Sequence, residues 1–299
     1  MNHQLGASEE RVGPVTIGPR ISFLPGTGLR FARHPPDPAL AEHVECYWTV
    51  DVDRPPATVD LVPDGLVDVT FRYFETDGEG EPAAFVTGPT TEHVRYRHER
   101  VVHLLGVGLR PGSAPALLGV PVAALAPQWT PLEDVIGPVA SGLAARVLAE
   151  PTLPGRLAAL DAFLLARADA AARDGRSDDR VDDAIRHITH RAGDLAMTAL
   201  AHDVATSSRT LGRLFDDWIG MGPKRFARIV RAQAALRRLA ADPVTDLAAL
   251  AADLGYADQA ALSRELRAFA GSTPRGLAAR LAADPHVADL FKPGPGASS

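Results

Sequence analysis

Residues Leu211–Pro223, LGRLFDDWIGMGP, return at an offset of 51 as Leu262–Pro274, LSRELRAFAGSTP. Leu211, Arg213, Phe215, Trp218, Gly220 and Pro223 map onto Leu262, Arg264, Leu266, Phe269, Gly271 and Pro274. Each copy follows an Ala-rich amphipathic segment and a short turn, the pattern of a helix-turn-helix unit. Leu211, Phe215 and Trp218 stand at i, i+4 and i+7, which makes them the buried stripe of a helix. The opposite face carries Arg209, Gly212, Arg213 and Asp216, matched in the second copy by Ala260, Ser263, Arg264 and Arg267. Two such units in tandem, joined by a basic helix, suit two nearby major grooves on one face of DNA.

Outward from the repeat, the pattern predicts seven helices, at about 178–190, 195–203, 207–219, 223–240, 246–254, 258–269 and 274–283. Ser207 and Asp258 are placed to N-cap the two recognition helices, and Pro223 and Pro274 fit first turns. Between Arg209 and Arg238, eight basic residues face only Asp216 and Asp217. The formal charge of −6 for the whole chain conceals this stripe. An arginine fork pairs with guanine O6 and N7, so Arg209, Arg213 and Arg264 are the base-reading candidates. Gln259 suits adenine or a phosphate. Lys224, Arg225, Arg228 and Arg231 read as phosphate neutralisers, which predicts salt-sensitive affinity. For each arginine the alternative is a phosphate or surface contact. Gly212, inside a helix, marks either a close approach of DNA or simple tolerance on an exposed face.

The rest of the chain bounds the reading. With 299 residues and 46% hydrophobic content it can bury a sizeable core and is expected to hold two domains. No run of 18 apolar residues occurs, and Met1–Pro25 lacks the pattern of a signal peptide. Cys46 is the only cysteine, so neither an intrachain disulfide nor a Cys-rich zinc site is available. A cytoplasmic protein without cofactor or membrane contact is the expectation. The predicted organisation is α+β: an arm at 1–25, a β-rich barrel or sandwich with appended helices at 26–175, an all-α domain at 176–285 and a tail at 286–299. Asp174–Asp179 is the polar break between the halves.

Strands are predicted at Val44–Val52, Leu66–Phe74, Phe85–Thr87, Val94–Tyr96 and Val101–Leu109, separated by turn signals. Helices follow from Ser113 to Ala172. In the last of them Leu157, Leu160, Phe163 and Leu164 form a stripe that packs on its own β-domain or on a second subunit. Tyr47, Trp48, Phe71, Tyr73 and Trp129 are candidate walls of an apolar pocket, with Asp64 or Arg110 as polar anchors; the alternative for the aromatics is core. His93, His98 and His103, helped by Glu92 or Glu99, are the one histidine group that could suggest a metal. Their spacing alternates them across a strand, which works against convergence. A thiol such as Cys46 in an apolar strand is usually inert. The alternative function is thus a metal-dependent barrel enzyme fused to a DNA-binding tail.

Residues 178–283 resemble the DNA-binding domain of AraC/XylS-type bacterial transcription regulators. The resemblance rests on Leu200-Ala201, Arg209-Thr210-Leu211, Arg213-Leu214-Phe215, Gly220-Met221-Gly222-Pro223 and Ile229-Val230-Arg231. It continues through Leu250-Ala251, Gly255-Tyr256-Ala257-Asp258-Gln259, Leu262-Ser263-Arg264 and Gly271-Ser272-Thr273-Pro274. It implies two recognition helices in successive major grooves and promoter control through RNA polymerase. It carries the DNA-facing role to Ser208, Arg209, Gly212, Arg213, Gln259, Ala260 and Arg264, although Gly212 and Ala260 lack long polar side chains. Ser207, Ser263, Lys224, Arg225 and Arg228 complete the candidate surface. The N-terminal half resembles the β-rich sensor half of such regulators through Val62-Pro63-Asp64-Gly65, Gly88-Pro89 and Gly108-Leu109-Arg110-Pro111-Gly112. That implies an effector-binding or dimer-forming role for a small molecule or a second copy of the chain, with no motif naming the effector.

Overall fold

A computed structural model describes residues 23–24, 28–73, 83–125 and 129–283. The tail expected from 286, and all of the expected arm except Phe23–Leu24, lie outside these residues. The described residues include nine strands: β1 Phe23–Leu24, β2 Arg30–His34, β3 Val44–Val52, β4 Ala57–Leu61, β5 Val67–Tyr73, β6 Ala83–Thr87, β7 Val94–His98, β8 Val102–Leu109 and β9 Trp129–Pro131. They form an antiparallel six-stranded sheet in the order β2-β3-β8-β5-β6-β9 and a three-stranded sheet in the order β1-β4-β7. The sheets do not close into a barrel. They are the two layers of a sandwich, and residues of both line one cavity between them.

Side-chain alternation along β3 builds two cores from one strand. Cys46, Trp48 and Val50 point into the sandwich, where they pack with Val102 and Leu104 of β8. Tyr47 points the other way, with Phe71, Leu105, Val107 and Leu109. That outer face is covered by α1 Ala114–Leu118, α2 Leu132–Ile136, α3 Val139–Ala149 and α4 Leu153–Arg173. Leu160 and Leu164 of α4 are buried there, and Tyr47 donates to Asp161 at 2.6 Å. The α4 stripe therefore packs on its own β-domain.

Seven helices follow: α5 Asp179–His190, α6 Met197–Asp203, α7 Ser208–Ile219, α8 Pro223–Ala241, α9 Leu247–Asp253, α10 Gln259–Ala270 and α11 Pro274–Ala283. Leu211, Phe215, Phe226, Val230, Leu262, Leu266 and Phe269 meet in one core around α8. The repeat has a finer structure than one offset. α6 and α9 are 50 residues apart, whereas α7 and α10 are 51 apart. The turn of the second unit is one residue longer, and both turns pass through positive φ, at Ala205 (50°) and Gly255 (70°).

The two halves are packed together. Val62, in the β4–β5 connection, is buried in the helical core, and Gln233 of α8 donates to the Pro63 carbonyl at 2.8 Å. Strands β2, β4 and β9 go beyond the sequence expectation. β4 follows two prolines, and its Asp60 is held by donors from other elements.

Candidate nucleic-acid interface and sensor cavity

Local chemistry positions both recognition helices in the same way. Ser207 Oγ accepts from Thr210 N at 3.1 Å to start α7, and Asp258 Oδ1 accepts from Ala261 N at 2.6 Å to start α10. Each helix ends on a left-handed glycine, Gly220 (φ 74°) or Gly271 (φ 65°), a conformation that a side chain would strain. Along α7, the exposed face carries Ser208, Arg209, Gly212 and Arg213 around a shallow concavity. Along α10, Gln259, Ala260 and Arg264 are exposed and Ser263 is half-buried. Arg209, Arg213, Lys224 and Arg264 have no ion pair among the described residues.

The basic stripe divides on inspection. Arg228 donates to Glu265 at 2.7 Å, and Glu265 also accepts from Tyr256 at 2.9 Å. Arg231 donates to the Gly193 and Gly255 carbonyls at 2.8 and 3.2 Å and stacks on Tyr256. Arg225 donates to the Thr91 carbonyl at 2.5 Å and stacks on Phe269. Arg238 pairs with Asp253 at 3.1 Å. These arginines fasten α8 to the second unit and to the β-domain, so Arg225, Arg228 and Arg231 are held by internal partners rather than left open for phosphates. At Gly212, an added Cβ would meet nothing within 4 Å. No packing contact within the chain requires that glycine.

One contact between the β-domain and the second unit is a buried carboxylate. Asp60 of β4 accepts from His93 Nε2 at 2.9 Å, from Arg95 Nε at 2.6 Å and from Arg280 of α11 at 2.8 Å. Burial alone would raise its pKa, but the donors from Arg95, Arg280 and His93 outweigh it and hold the carboxyl at about 2. His93 N also donates to the Ala268 carbonyl at 3.4 Å, and its ring lies where a Cβ on Gly271 would be.

The opposite face of the same strands borders the sandwich cavity. Val59 and Leu61 of β4 and Tyr96 and His98 of β7 close it from the small sheet. Trp48, Asp68, Thr70, Leu104 and Trp129 line it from the large sheet, around a space of about 60 Å³. Trp48 lies across Gly106, where a Cβ would be 2.0 Å from the indole, so only glycine fits beneath it. Trp48 Nε1 donates to Asp68 Oδ1 at 2.8 Å.

Of the predicted pocket residues, the structure brings Trp48 and Trp129 to this cavity. Tyr47 and Phe71 belong to the core on the other side of the sheet. Asp64 accepts from Leu66 N at 2.9 Å in a turn, and Arg110 pairs with Glu45 at 2.9 Å. Tyr73 ends β5, and its side chain lies outside the described residues. Strand parity could have separated these sets, because Tyr47 and Trp48 are adjacent and must face opposite ways. Asp68, Tyr96 and His98 were missed as cavity residues. Asp68 is two residues before Thr70 and four before Arg72 on β5, but nothing local indicated which face would be covered by a second sheet.

The histidines are not brought together. His93 binds Asp60, His98 borders the cavity, and His103 Nδ1 lies 2.6 Å from Asp51. No group of three or more His, Cys, Asp or Glu residues that could hold a metal occurs among the described residues. Cys46 is buried, and burial pushes its thiol up to about 11 despite a contact from Arg33. No helix among the described residues is long and apolar enough to cross a membrane.

A family model described as a helix-turn-helix domain matches residues 200–280, the span from α6 through both recognition helices into α11. Residues 200–280 are thus a helix-turn-helix domain. A second family model, described as a domain of unknown function (DUF6597), matches residues 32–131 and so covers most of the sandwich ahead of the helix-turn-helix domain. No curated protein matches the chain. Among solved structures, the chain is similar to a transcriptional regulator from Chromobacterium violaceum described as containing an AraC-type DNA-binding domain. That similarity has 23% identity and a TM-score of 0.33, over 35% of this chain and 93% of that one. It is also similar to an apo ToxT variant from Vibrio cholerae, with 9% identity and a TM-score of 0.41, over 88% of this chain and 99% of that one.

Proposed function

We propose that this chain is a sequence-specific DNA-binding transcription regulator whose activity is set by a small ligand in the N-terminal sandwich. The observation that carries the DNA reading is the pair of capped helices, α7 and α10, held on one α8 scaffold with Arg209, Arg213 and Arg264 open to solvent. Free arginine forks on the exposed face of a recognition helix are suited to guanine edges, while Lys224 and the N-cap region of α7 suit phosphates. The ligand reading is supported by the two faces of β4 and β7. Val59, Leu61, Tyr96 and His98 meet the cavity, while Asp60, which accepts from Arg95, also accepts from Arg280 of the helix-turn-helix domain. A ligand that shifts these strands changes the seat of α11, and through it the second recognition unit. Such coupling needs only a difference in ligand affinity between two placements of that unit.

Promoter control through RNA polymerase, action in the cytoplasm and pairing with a second copy follow the same family reading. The enzyme alternative requires convergent ligands or an acid–base set. His93 and His103 are instead engaged by separate carboxylates. The test is selection from fragmented host DNA by the intact protein at physiological salt. Enrichment of a few promoter fragments sharing one asymmetric site is expected. Equal recovery of all fragments would remove sequence specificity from the account.

A further inference from the structure

The sandwich cavity has a chemical polarity that names a ligand class. Asp68 is half-buried at the cavity wall, and its Oδ1 accepts the Trp48 indole N–H. Burial and the neighbouring Asp64 carboxylate both raise the Asp68 pKa, against smaller opposing effects of Trp48 and Arg33. The cavity is therefore a poor host for this carboxylate's negative charge. Three aromatic rings stand around the space: Trp48 over Gly106, and Tyr96 edge-on to Trp129 with centroids 6.5 Å apart. Aromatic faces beside a carboxylate are a recurrent environment for an organic cation, because the ring quadrupole and the carboxylate attract the same charge.

The far end has the opposite character. Arg72 stacks over Phe85 at 4.9 Å and Trp129 at 5.3 Å, and it helps burial to lower the His98 pKa. A cation entering the cavity is thus directed to the Asp68 end, and an anion is turned away from it. Space of about 60 Å³ holds several waters or a group of about four or five heavy atoms.

We propose that the cavity binds a small organic amine, with its ammonium on Asp68 and its carbon chain against Trp48, Tyr96 and Trp129. This rests on the reading of the sandwich as the sensor half and specifies what it senses. Pairing with an ammonium stabilises the ionised carboxylate, so binding strengthens as pH rises through the Asp68 titration.

The test uses the intact protein and three probes of nearly equal size: propylammonium, 1-propanol and propionate. Binding is read by tryptophan fluorescence and by thermal shift, since a native-state ligand raises the melting temperature. Propylammonium is expected to bind at least tenfold more tightly than 1-propanol, and propionate more weakly than either. Asp68→Asn keeps an acceptor for the Trp48 N–H and is expected to remove that preference while leaving 1-propanol unchanged. Trp129→Leu is a second variant, expected to weaken propylammonium without abolishing it. Equal binding of the amine and the alcohol, no binding of the amine, or an unchanged preference in Asp68→Asn would overturn the proposal. Affinity for the selected DNA site is measured alongside. Amine binding that leaves DNA affinity unchanged keeps this inference and defeats ligand control; DNA control by a ligand with no amine preference does the reverse.

Discussion

The two helix-turn-helix units share caps, terminal glycines and a buried stripe, yet they are held very differently. In the first unit, Arg209, Gly212 and Arg213 face solvent and no arginine of the recognition helix is tied to another element. In the second, the position equivalent to the buried Leu214 is Glu265, which accepts from Arg228 and Tyr256. Its following helix α11 is anchored to the sandwich through Arg280 and Asp60. Both units touch the N-terminal half, the first where Gly220 packs against Val122 and Pro89 and the second through a charged contact. The repeat has diverged where a carboxylate replaces a leucine, turning a core position into a fastening between helices.

Removing that fastening gives the largest expected effect. Glu265→Ala leaves the Arg228 guanidinium and the Tyr256 hydroxyl without their acceptor, at a cost of about 2–3 kcal/mol. Hydrogen exchange should then quicken in α9 and α10 while α6 and α7 keep their protection. Uniform loosening of both units would mean that they form one cooperative block and that the asymmetry drawn here is wrong.

Arg213→Ala and Arg264→Ala probe the reading surfaces themselves. Each is expected to cost about 1–3 kcal/mol in specific binding and to relax preference at one base step. Arg228→Ala is expected to act through α8–α10 packing, with a salt slope close to the parent's. Lys224→Ala should weaken all DNA binding alike and flatten that slope. Binding to selected and scrambled duplexes across a salt series separates the two patterns.

The contact between the sandwich and α11 comes next. Asp60→Asn removes a charge shared by three donors, two of which are partly exposed, so about 1 kcal/mol of docking is expected to be lost. The pH sign is fixed by the direction of the shift. Asp60 has a folded pKa depressed to about 2, below the ordinary carboxyl value of about 3.9. Its stabilising effect is complete above the ordinary value and fades as pH falls toward 2. A distance probe between the sandwich and α11 should report separation in that window for the parent, and little pH dependence in Asp60→Asn.

The smallest effect discriminates most sharply. Gly212→Ala enters open space in a helix interior and should stabilise the free protein by about 0.5–1 kcal/mol. If DNA closes over that face, the same methyl should lower operator affinity. A gain in both would show that Gly212 is tolerated rather than required.

Much of this was readable from residue patterns alone. Ser207, Asp258, Pro223 and Pro274 mark helix starts by chemistry that is local, so all seven helices of the C-terminal half could be placed within a few residues. The strands around Val44–Val52 and Val102–Leu109 were legible for the same reason. What local pattern could not supply was partnership across the chain. The basic stripe reads as one DNA-facing surface until Arg225, Arg228 and Arg231 are seen to meet Thr91, Glu265 and Gly193. Asp60 lies in a strand the sequence pattern did not single out, and its partners Arg95 and Arg280 come from 35 and 220 residues away. Tyr47 and Phe71 read as pocket aromatics because their face of the sheet depends on which side the helices cover.

The most direct test of the central claim is a hydroxyl-radical footprint of the intact protein on its best-enriched DNA fragment. Two recognition helices fixed on one α8 scaffold predict two protected blocks about one helical turn, roughly 10 bp, apart on the same face. Arg213→Ala should erase contrast in one block and Arg264→Ala in the other. A single continuous block, or protection that moves with neither variant, would contradict a reader built from two separately contacting units.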